Sequence, residues 1–363
     1  MKIAQTCHHY FPHTGGTERG MKTLVDGLAE KGQEVHVFSD REDLSKLQDT
    51  ERIKYHGIKL LRISKFRFPQ KSYWEKIENS HCDIIHVQGQ RVWSSDYLNS
   101  KLEKMTAKKL FTAHGFYQLI YPGKFNDLYY HRFMPKFLSK FDRLICLTEH
   151  EKRQTLELSP NLESRIRVIS NGVDFNAIDV NSHENNLPKE LKEKEFILHC
   201  GGLQRNKNVE DILEGMRNLK KPLVLTGNIP NRDYWNVLRE KAKSLDVSVL
   251  HIGNVTDNVL SSLMKNCSAY VTASKFEAFG MSMIEAAYLG ANVIAYETGI
   301  ASELSKMGIL KLAFNGHDIE TGLNEFKRKD SKDATKSKLR TLFDKEIVIN
   351  RLIKEYEDLK DEN

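Results

Sequence analysis

Short apolar runs recur along this chain with stretches of helical spacing between them, and the whole series occurs twice. In the first series Lys2-Ile3-Ala4 leads into a loop, helical spacing covers about 17–31, and Glu34-Val35-His36-Val37-Phe38 reads as the next strand. Further strand signals fall at Asp83-Ile84-Ile85-His86-Val87, Lys109-Leu110-Phe111-Thr112-Ala113 and Arg143-Leu144-Ile145-Cys146-Leu147. After a polar stretch from Asn176 to Glu195 the pattern restarts with strands at 196–200, 222–226, 247–252, 269–273 and 291–296. Helical spacing separates them at about 208–219, 231–245 and 257–266, and again from Met281 to Leu289. Strands that alternate with helices need crossover connections, so each series predicts a parallel, doubly wound α/β sheet. The expected division is an N-terminal domain over 1–180, a C-terminal domain over 181–343, and a tail over 344–363. In that tail Ile347, Ile349, Leu352, Ile353 and Tyr356 share one helical face, which must be buried against something.

At 363 residues the chain has room for two such cores. No apolar stretch is long enough to span a membrane, and the opening MKIAQTCHHYF has no long apolar core followed by a cleavage site. A cytoplasmic protein is expected, with Cys7, Cys82, Cys146, Cys200 and Cys267 reduced. The net charge of +6 belongs to the first half: residues 1–180 hold 28 Lys and Arg against 22 Asp and Glu, while the remainder balances at 27 each. Residues 52–76 carry Arg52, Lys54, Lys59, Arg62, Lys65, Arg67, Lys71 and Lys76 against Glu75 alone, with Tyr55, Phe66, Phe68, Tyr73 and Trp74 interleaved. Residues 101–143 add nine basic groups against three acids. Such a face is either simply solvated or attracted to an anionic membrane surface or anionic acceptor. No nucleic-acid motif accompanies it, so nucleic acid is not an expected partner.

The densest chemistry lies in Ser274-Lys275-Phe276-Glu277-Ala278-Phe279-Gly280-Met281-Ser282-Met283-Ile284-Glu285-Ala286. A buried strand precedes it and a helix follows, so Gly280 stands at a helix start. The N–H groups of Gly280, Met281 and Ser282 have no acceptor inside that helix, and such an end attracts phosphate. Glu277 on the loop and Glu285 about one turn into the helix offer carboxylates to paired hydroxyls, as the acidic residue of dinucleotide folds does for a ribose. The implied ligand is a sugar nucleotide. Gly201-Gly202-Leu203-Gln204-Arg205-Asn206-Lys207-Asn208 follows the first strand of the second series, where Lys207 and Arg205 are placed to neutralise a diphosphate and the charge that grows as it leaves. In the first series His13-Thr14-Gly15-Gly16-Thr17-Glu18 makes a first β–α turn, with Thr17 a candidate helix cap. It lacks the middle glycine of G-x-G-x-x-G, which argues against a nicotinamide domain. His114 ends a strand in Thr112-Ala113-His114-Gly115-Phe116, a placement that suits a structural histidine as well as a functional one. His8, His9 and His13 fit no common metal spacing.

The two glutamates eight positions apart resemble the E-x7-E signature of retaining GT-B glycosyltransferases, family 4. Other stretches resemble that family in the same order along the chain: the Gly15-Gly16 loop, His114, Asn171-Gly172-Val173-Asp174, the loop ending in Lys207, and Gly299 with Glu303. Glu149 resembles a polar position near the acceptor. The resemblance implies two Rossmann-like domains facing a cleft, acceptor in the first and nucleotide sugar in the second, with the C-terminal helix returning to the first. It implies a hexose passed from a UDP- or GDP-sugar to a hydroxyl of a glycan, glycolipid or lipid-linked acceptor, in cell-envelope polysaccharide or glycolipid synthesis. Peripheral attachment to the inner face of the membrane goes with that.

By the same resemblance Glu285 bonds the ribose, and Glu277 with the amides of Phe279, Gly280 and Met281 places the hexose and its phosphate. Gly15 and Gly16 come near the diphosphate, His114 contacts the donor sugar, and Lys207 holds the phosphates. One departure stands out: Gly202 occupies a position where the family has arginine, which leaves Arg205 as the nearby substitute. With no Asp-x-Asp after a strand, transfer without metal or other cofactor is the expectation. Two other readings remain at this point. One is a different GT-B enzyme, a phosphorylase or sugar-nucleotide epimerase; the other is a non-catalytic sugar-nucleotide-binding or membrane-docking protein.

Overall fold

The computed structural model describes the whole chain except residues 13–14, 64–65, 71, 117–122, 184–185, 193–194, 327–331 and 363. His13, Thr14, Lys65 and Lys71 therefore lie outside the described residues. The chain divides into two compact units, Met1–Val173 with Phe343–Asn363, and Asp174–Leu342. Both are α/β.

The first unit is built on strands β1 (Lys2–Thr6), β2 (Glu34–Asp40), β3 (Ile53–Ile58), β6 (Ile84–Gln88), β7 (Lys108–Thr112), β8 (Arg143–Cys146) and β9 (Ile166–Val168), all parallel, in the order β3-β2-β1-β6-β7-β8-β9. A separate antiparallel hairpin, β4 (Leu60–Ile63) with β5 (Phe66–Pro69), follows β3. The central strands are covered on both faces, which is why they read as nearly continuous apolar runs. Alternate residues divide between two cores: Ala4, Ile85, Val87, Phe111 and Leu144 face one, and Ile3, Ile84, Leu110 and Ile145 the other.

That second core is closed by the helix Gly16–Glu30 and by the C-terminal helix Lys345–Asp361. The C-terminal helix buries Val348, Ile349, Leu352, Tyr356 and Leu359. Val348 is thus inside where the spacing had suggested Ile347. The two helices approach closely at Gly27, where a Cβ would stand 1.9 Å from Ile349 Cδ1. Backbones also cross closely at Gly172, whose added Cβ would lie 2.9 Å from the Lys345 Cα. Beside it Val173 N–H donates to Phe343 O at 2.7 Å and Lys345 N–H to Val173 O at 3.0 Å.

In the second unit β10 (Ile197–Cys200), β11 (Leu223–Thr226), β12 (Val249–His251), β13 (Ala269–Thr272), β14 (Asn292–Tyr296) and β15 (Lys311–Ala313) form a parallel sheet in the order β12-β11-β10-β13-β14-β15. The polar stretch read as a linker is not a plain one: Phe175–Asn181 is a helix and belongs to this unit. Its Asp179 is held by Tyr288 Oη at 2.8 Å and Arg340 Nη2 at 2.6 Å. The chain changes unit at 173/174 and returns at 342/343. Polar composition misleads here because a short amphipathic helix on a small unit needs only Phe175 and Ile178 buried.

The basic stretch 52–76 is also more structured than its charge suggested, holding β3, the hairpin and the helix Ser72–Asn79. Strands β3 and β15 lie at sheet edges, where one side needs no apolar cover, so neither announces itself by an apolar run. Several of the basic groups are occupied within the fold. Arg52 and Lys76 donate to the Gly32 and Gly57 carbonyls, and Arg62 pairs with Glu42 at 2.6 Å. Arg143 is buried against Glu355 and Glu362 of the C-terminal helix. Still exposed beside them are Leu61, Phe68, Leu128 and Phe133. All five cysteines are free.

Candidate functional site

In the second sheet β10 lies between β11 and β13, so the chain's direction of winding reverses there and the loops leaving β10 and β13 diverge. An open α/β sheet binds its ligand at such a point, outside the carboxyl ends of the strands. The sequence motifs after Cys200 and after Thr272 are these two loops. Their backbones are tied by Lys275 N–H to Asn206 O at 2.8 Å. Their side chains meet where Lys207 Nζ lies 2.7 Å from Glu277 Oε1, with the two side chains 21% and 20% exposed. Residues 70 apart in sequence thus form one ion pair at the mouth of the strands.

Gly280 caps the motif helix Met281–Tyr288 in a left-handed conformation at φ +99°, with no side-chain cap bond. Its first-turn amides keep the orientation that favours an anion. Ser282 at that end accepts from Tyr270 Oη at 2.7 Å, which fixes the helix start to β13. Phe279 is buried, and its carbonyl accepts from Ile300 N–H at 2.8 Å. Gly299, at φ +54°, passes so near that a Cβ there would stand 2.3 Å from Phe279 O and 3.2 Å from Glu277 Cβ. A bulkier residue at 299 would push the Glu277 loop away from Lys207. Glu285, one turn into the helix, is only 6% exposed. Burial first, with Glu285 contributing, pushes the Cys200 thiol at the end of β10 up to about 12.

The position lacking the family arginine lies against the loop after β11. A Cβ on Gly202 would lie 2.7 Å from Asn228 Oδ1, because the loop after β11 packs directly over it. Leu203 N–H donates to Asn228 O at 2.9 Å in the same contact. Arg205 does not join the Lys207–Glu277 pair; its guanidinium carbon lies over the Tyr234 ring, 5.3 Å from the centroid. Sequence reasoning missed two groups here. His199, inside β10, is fully buried with Nδ1 2.9 Å from Val271 O and Nε2 unpartnered, and burial holds it down at about 4. Asn206 has a buried Oδ1 with no partner. A polar residue interrupting an apolar strand was the available signal for His199.

In the first unit Gly15, not Thr17, caps the helix Gly16–Glu30. An added Cβ on Gly15 would meet only the tip of Glu18, and around Gly16 there is open space. His114 follows β7 at φ +56° and Gly115 at φ +80°, a left-handed pair that costs about 1–2 kcal/mol at the non-glycine position. Neighbours hold it: Glu151, 2% exposed, accepts Gly115 N–H at 2.6 Å and Leu147 N–H at 2.6 Å. Burial raises this carboxyl to about 7. The residue that braces the turn is therefore Glu151, whereas Glu149 is exposed in the first turn of helix Glu149–Leu158. His114 Nε2 lies 2.8 Å from Gln88 Oε1, and burial pulls the imidazole down to about 4. Nδ1 is shielded and has no partner. It lines a cavity of about 40 Å³ that also touches Thr112, Asn171 and Leu352.

His9 is committed to structure, with Nδ1 3.0 Å from Asp43 Oδ2 and Nε2 2.9 Å from Arg67 Nη1. Among the described residues no three His, Cys, Asp or Glu side chains gather in a way that suits a metal ion. No helix among them is long and apolar enough to cross a membrane.

Two family models match in sequence: "Glycosyltransferase Family 4" over residues 14–177 and "Glycosyl transferases group 1" over residues 182–338. The chain belongs to the family 4 glycosyltransferases and has their GT-B architecture, a pair of Rossmann-like units. Among curated relatives it is similar to the alpha-monoglucosyldiacylglycerol synthase of Streptococcus pneumoniae, 22% identical over 90% of this chain and 78% of that protein. Among solved structures it resembles the sucrose-phosphate synthase of Thermosynechococcus elongatus, with a TM-score of 0.80 and 17% identity over 99% of both chains. It also resembles Anabaena Alr3699/HepE, solved in complex with UDP-glucose, with a TM-score of 0.75 and 16% identity over 99% of this chain and 100% of that one.

Proposed function

We propose that this glycosyltransferase moves a hexose from a UDP- or GDP-sugar to a hydroxyl of a glycolipid or lipid-linked glycan, with retention of configuration and without a metal. The observation that carries the donor reading is the Lys207–Glu277 pair at the mouth of β10 and β13, beside the uncapped helix start at Gly280. A cation and backbone amides there suit a diphosphate, and Glu277 and Glu285 suit the hydroxyls of hexose and ribose. The UDP-glucose bound by Alr3699/HepE and the diacylglycerol in the name of the pneumococcal relative support a nucleotide sugar and a lipid acceptor. Exposed Leu61, Phe68, Leu128 and Phe133 among basic residues of the first unit support attachment to an anionic membrane.

In the reaction the bond from the anomeric carbon to the diphosphate breaks while the acceptor oxygen bonds that carbon on the same face. The acceptor proton passes to the departing phosphate oxygen. Lys207 and the Gly280–Met281 amides stabilise the charge that grows on the diphosphate, the usual largest contribution in such a site. Neutral His114 of the first unit, with Nδ1 as acceptor, bonds a substrate hydroxyl.

A thermal-shift screen of UDP- and GDP-sugars tests the donor, since ligand at a hundred times its dissociation constant adds about 2.7 kcal/mol. Product analysis with diacylglycerol, glycolipid and polyprenyl-linked glycan acceptors follows, with anomeric configuration read by NMR and chelator added throughout. No shift with any sugar nucleotide, or an equal shift for Glu285→Ala, would overturn the donor site. Inverted product or chelator-sensitive turnover would overturn the mechanism, and equal flotation on neutral and anionic vesicles the electrostatic part of the membrane reading.

A further inference from the structure

Six polar residues form a continuous hydrogen-bonded chain that begins at His114 and includes Tyr356 of the C-terminal helix. His114 Nε2 contacts Gln88 Oε1 at 2.8 Å, Gln88 Nε2 donates to Gln5 Oε1 at 3.0 Å, and Gln5 Nε2 donates to Tyr356 Oη at 3.0 Å. Tyr356 Oη meets His86 Nδ1 at 2.7 Å, and His86 Nε2 meets Thr112 Oγ1 at 2.8 Å. Gln5, His86, Gln88, Thr112 and Tyr356 are each at most 3% exposed. Their strands β1, β6 and β7 are neighbours, with Gln5 beside His86 and Gln88 beside Thr112, so one face of the sheet gathers them under the C-terminal helix.

Each link has a direction, and the tyrosine sets it. A phenol is far more acidic than the N–H of a neutral imidazole, so in a short contact between them the O–H donates and Nδ1 of His86 accepts. Tyr356 Oη is then left as an acceptor, which Gln5 Nε2 fills. The Gln5 oxygen must accept from Gln88 Nε2, and the Gln88 oxygen must accept from His114 Nε2–H. His114, which lines the cavity, is thereby held in the tautomer whose Nδ1 carries no proton, an atom with no partner in the fold. We propose that Tyr356 is a positioning residue for the transfer reaction: through Gln5 and Gln88 it fixes the His114 tautomer, so that Nδ1 accepts a hydrogen bond from a substrate hydroxyl. The catalytic half of this rests on the role given to His114 above; the tautomer half does not.

Tyr356→Phe keeps the ring that packs edge-on against His86 and removes only the hydroxyl. Gln5 then has no acceptor to fill, Gln5 and Gln88 are free to turn over, and a Gln88 amide nitrogen facing His114 puts the proton on Nδ1. Two-bond 1H–15N spectra of the 15N-labelled full chain read the tautomer, with His114 assigned by its loss in His114→Ala. The wild type should show protonated Nε2, and Tyr356→Phe a mixed or reversed tautomer with kcat down about threefold or more and donor KM nearly unchanged. In a Gln88→Glu background, where position 88 only accepts, Tyr356→Phe should change neither tautomer nor kcat further. An unchanged tautomer in Tyr356→Phe overturns the proposal. So does an unchanged kcat when His114→Ala is impaired. If His114→Ala is itself fully active, the role given to His114 fails, and the shifted tautomer still supports the positioning by Tyr356.

Discussion

Replacing Lys207 by methionine separates its structural contact from the catalytic part proposed for it. At 2.7 Å from Glu277 Oε1 and about one-fifth exposed, the ammonium has a gross attraction of about 6 kcal/mol at an effective dielectric near 20. Desolvation of both groups offsets most of it, so Lys207→Met should cost about 1–3 kcal/mol, chiefly because Glu277 is left half-buried and unpaired. In a unit of this size that is a fall of about 2–4 °C per kcal/mol in Tm. Adding Glu277→Gln removes the stranded charge, so the double variant should regain most of the loss. Catalysis should behave differently. A cation aimed at the leaving diphosphate contributes about 3–4 kcal/mol in the transition state, so kcat should fall about 10²–10³-fold in Lys207→Met. It should stay down in the double variant. Urea unfolding followed by tryptophan fluorescence, together with initial rates at saturating sugar nucleotide, gives both numbers. Recovery of rate together with stability in the double variant would refute the reasoning, because the pair would then be a structural contact only.

Stability should fall with acid in a defined window. Burial holds His114 and His199 at about 4 and His86 at about 3, all below the unfolded value of 6.5, so the unfolded chain binds more protons in between. Their contribution is complete above pH 6.5 and is lost as pH falls towards 4, on the order of 1–3 kcal/mol per imidazole, and a flat denaturation midpoint across that range would contradict it. Gly202→Arg should not improve donor affinity despite restoring the family's residue, because its Cβ would press on Asn228 Oδ1 at 2.7 Å; tighter binding in a titration would refute this. Gly27→Ala should destabilise the first unit by about 1–3 kcal/mol through overpacking against Ile349, and Ile349→Val in the same chain should relieve part of it in a chemical denaturation series.

Much of the architecture was legible because parallel strands buried on both faces are nearly continuous apolar runs. The runs at Ile3, Val35, Ile84 and Leu110 therefore announced the first sheet, and those at Ile197, Val224, Tyr270 and Val293 the second. Among the elements that escaped notice were edge strands β3, β9 and β15, the β4–β5 hairpin and the helix in the supposed linker, none of which carries a continuous apolar pattern. The two loops proposed to hold the donor stood out in the sequence through the coincidence of glycines, basic groups and glutamates at strand ends. Thr17 as a cap was displaced by Gly15, since capping depends on where a helix starts to within a single residue, and Glu151 was not singled out because only the fold turns it inward to Gly115.

Sequence alone picked out the candidate residues for a sugar nucleotide, because residue type and its place after a strand are local properties of the chain. It could not determine which of them meet. Lys207 finds Glu277 only because β10 and β13 are neighbours in the sheet, and Arg205, two positions away, turns instead to Tyr234. Gly202 lies against Asn228, on a loop more than twenty residues later in the chain. Gln5, Gln88 and Tyr356 carried no sequence signal beyond being polar among apolar neighbours. Hydrogen-bond direction is a property of the assembled chain of donors and acceptors, and only the folded sheet beneath its C-terminal helix assembles it.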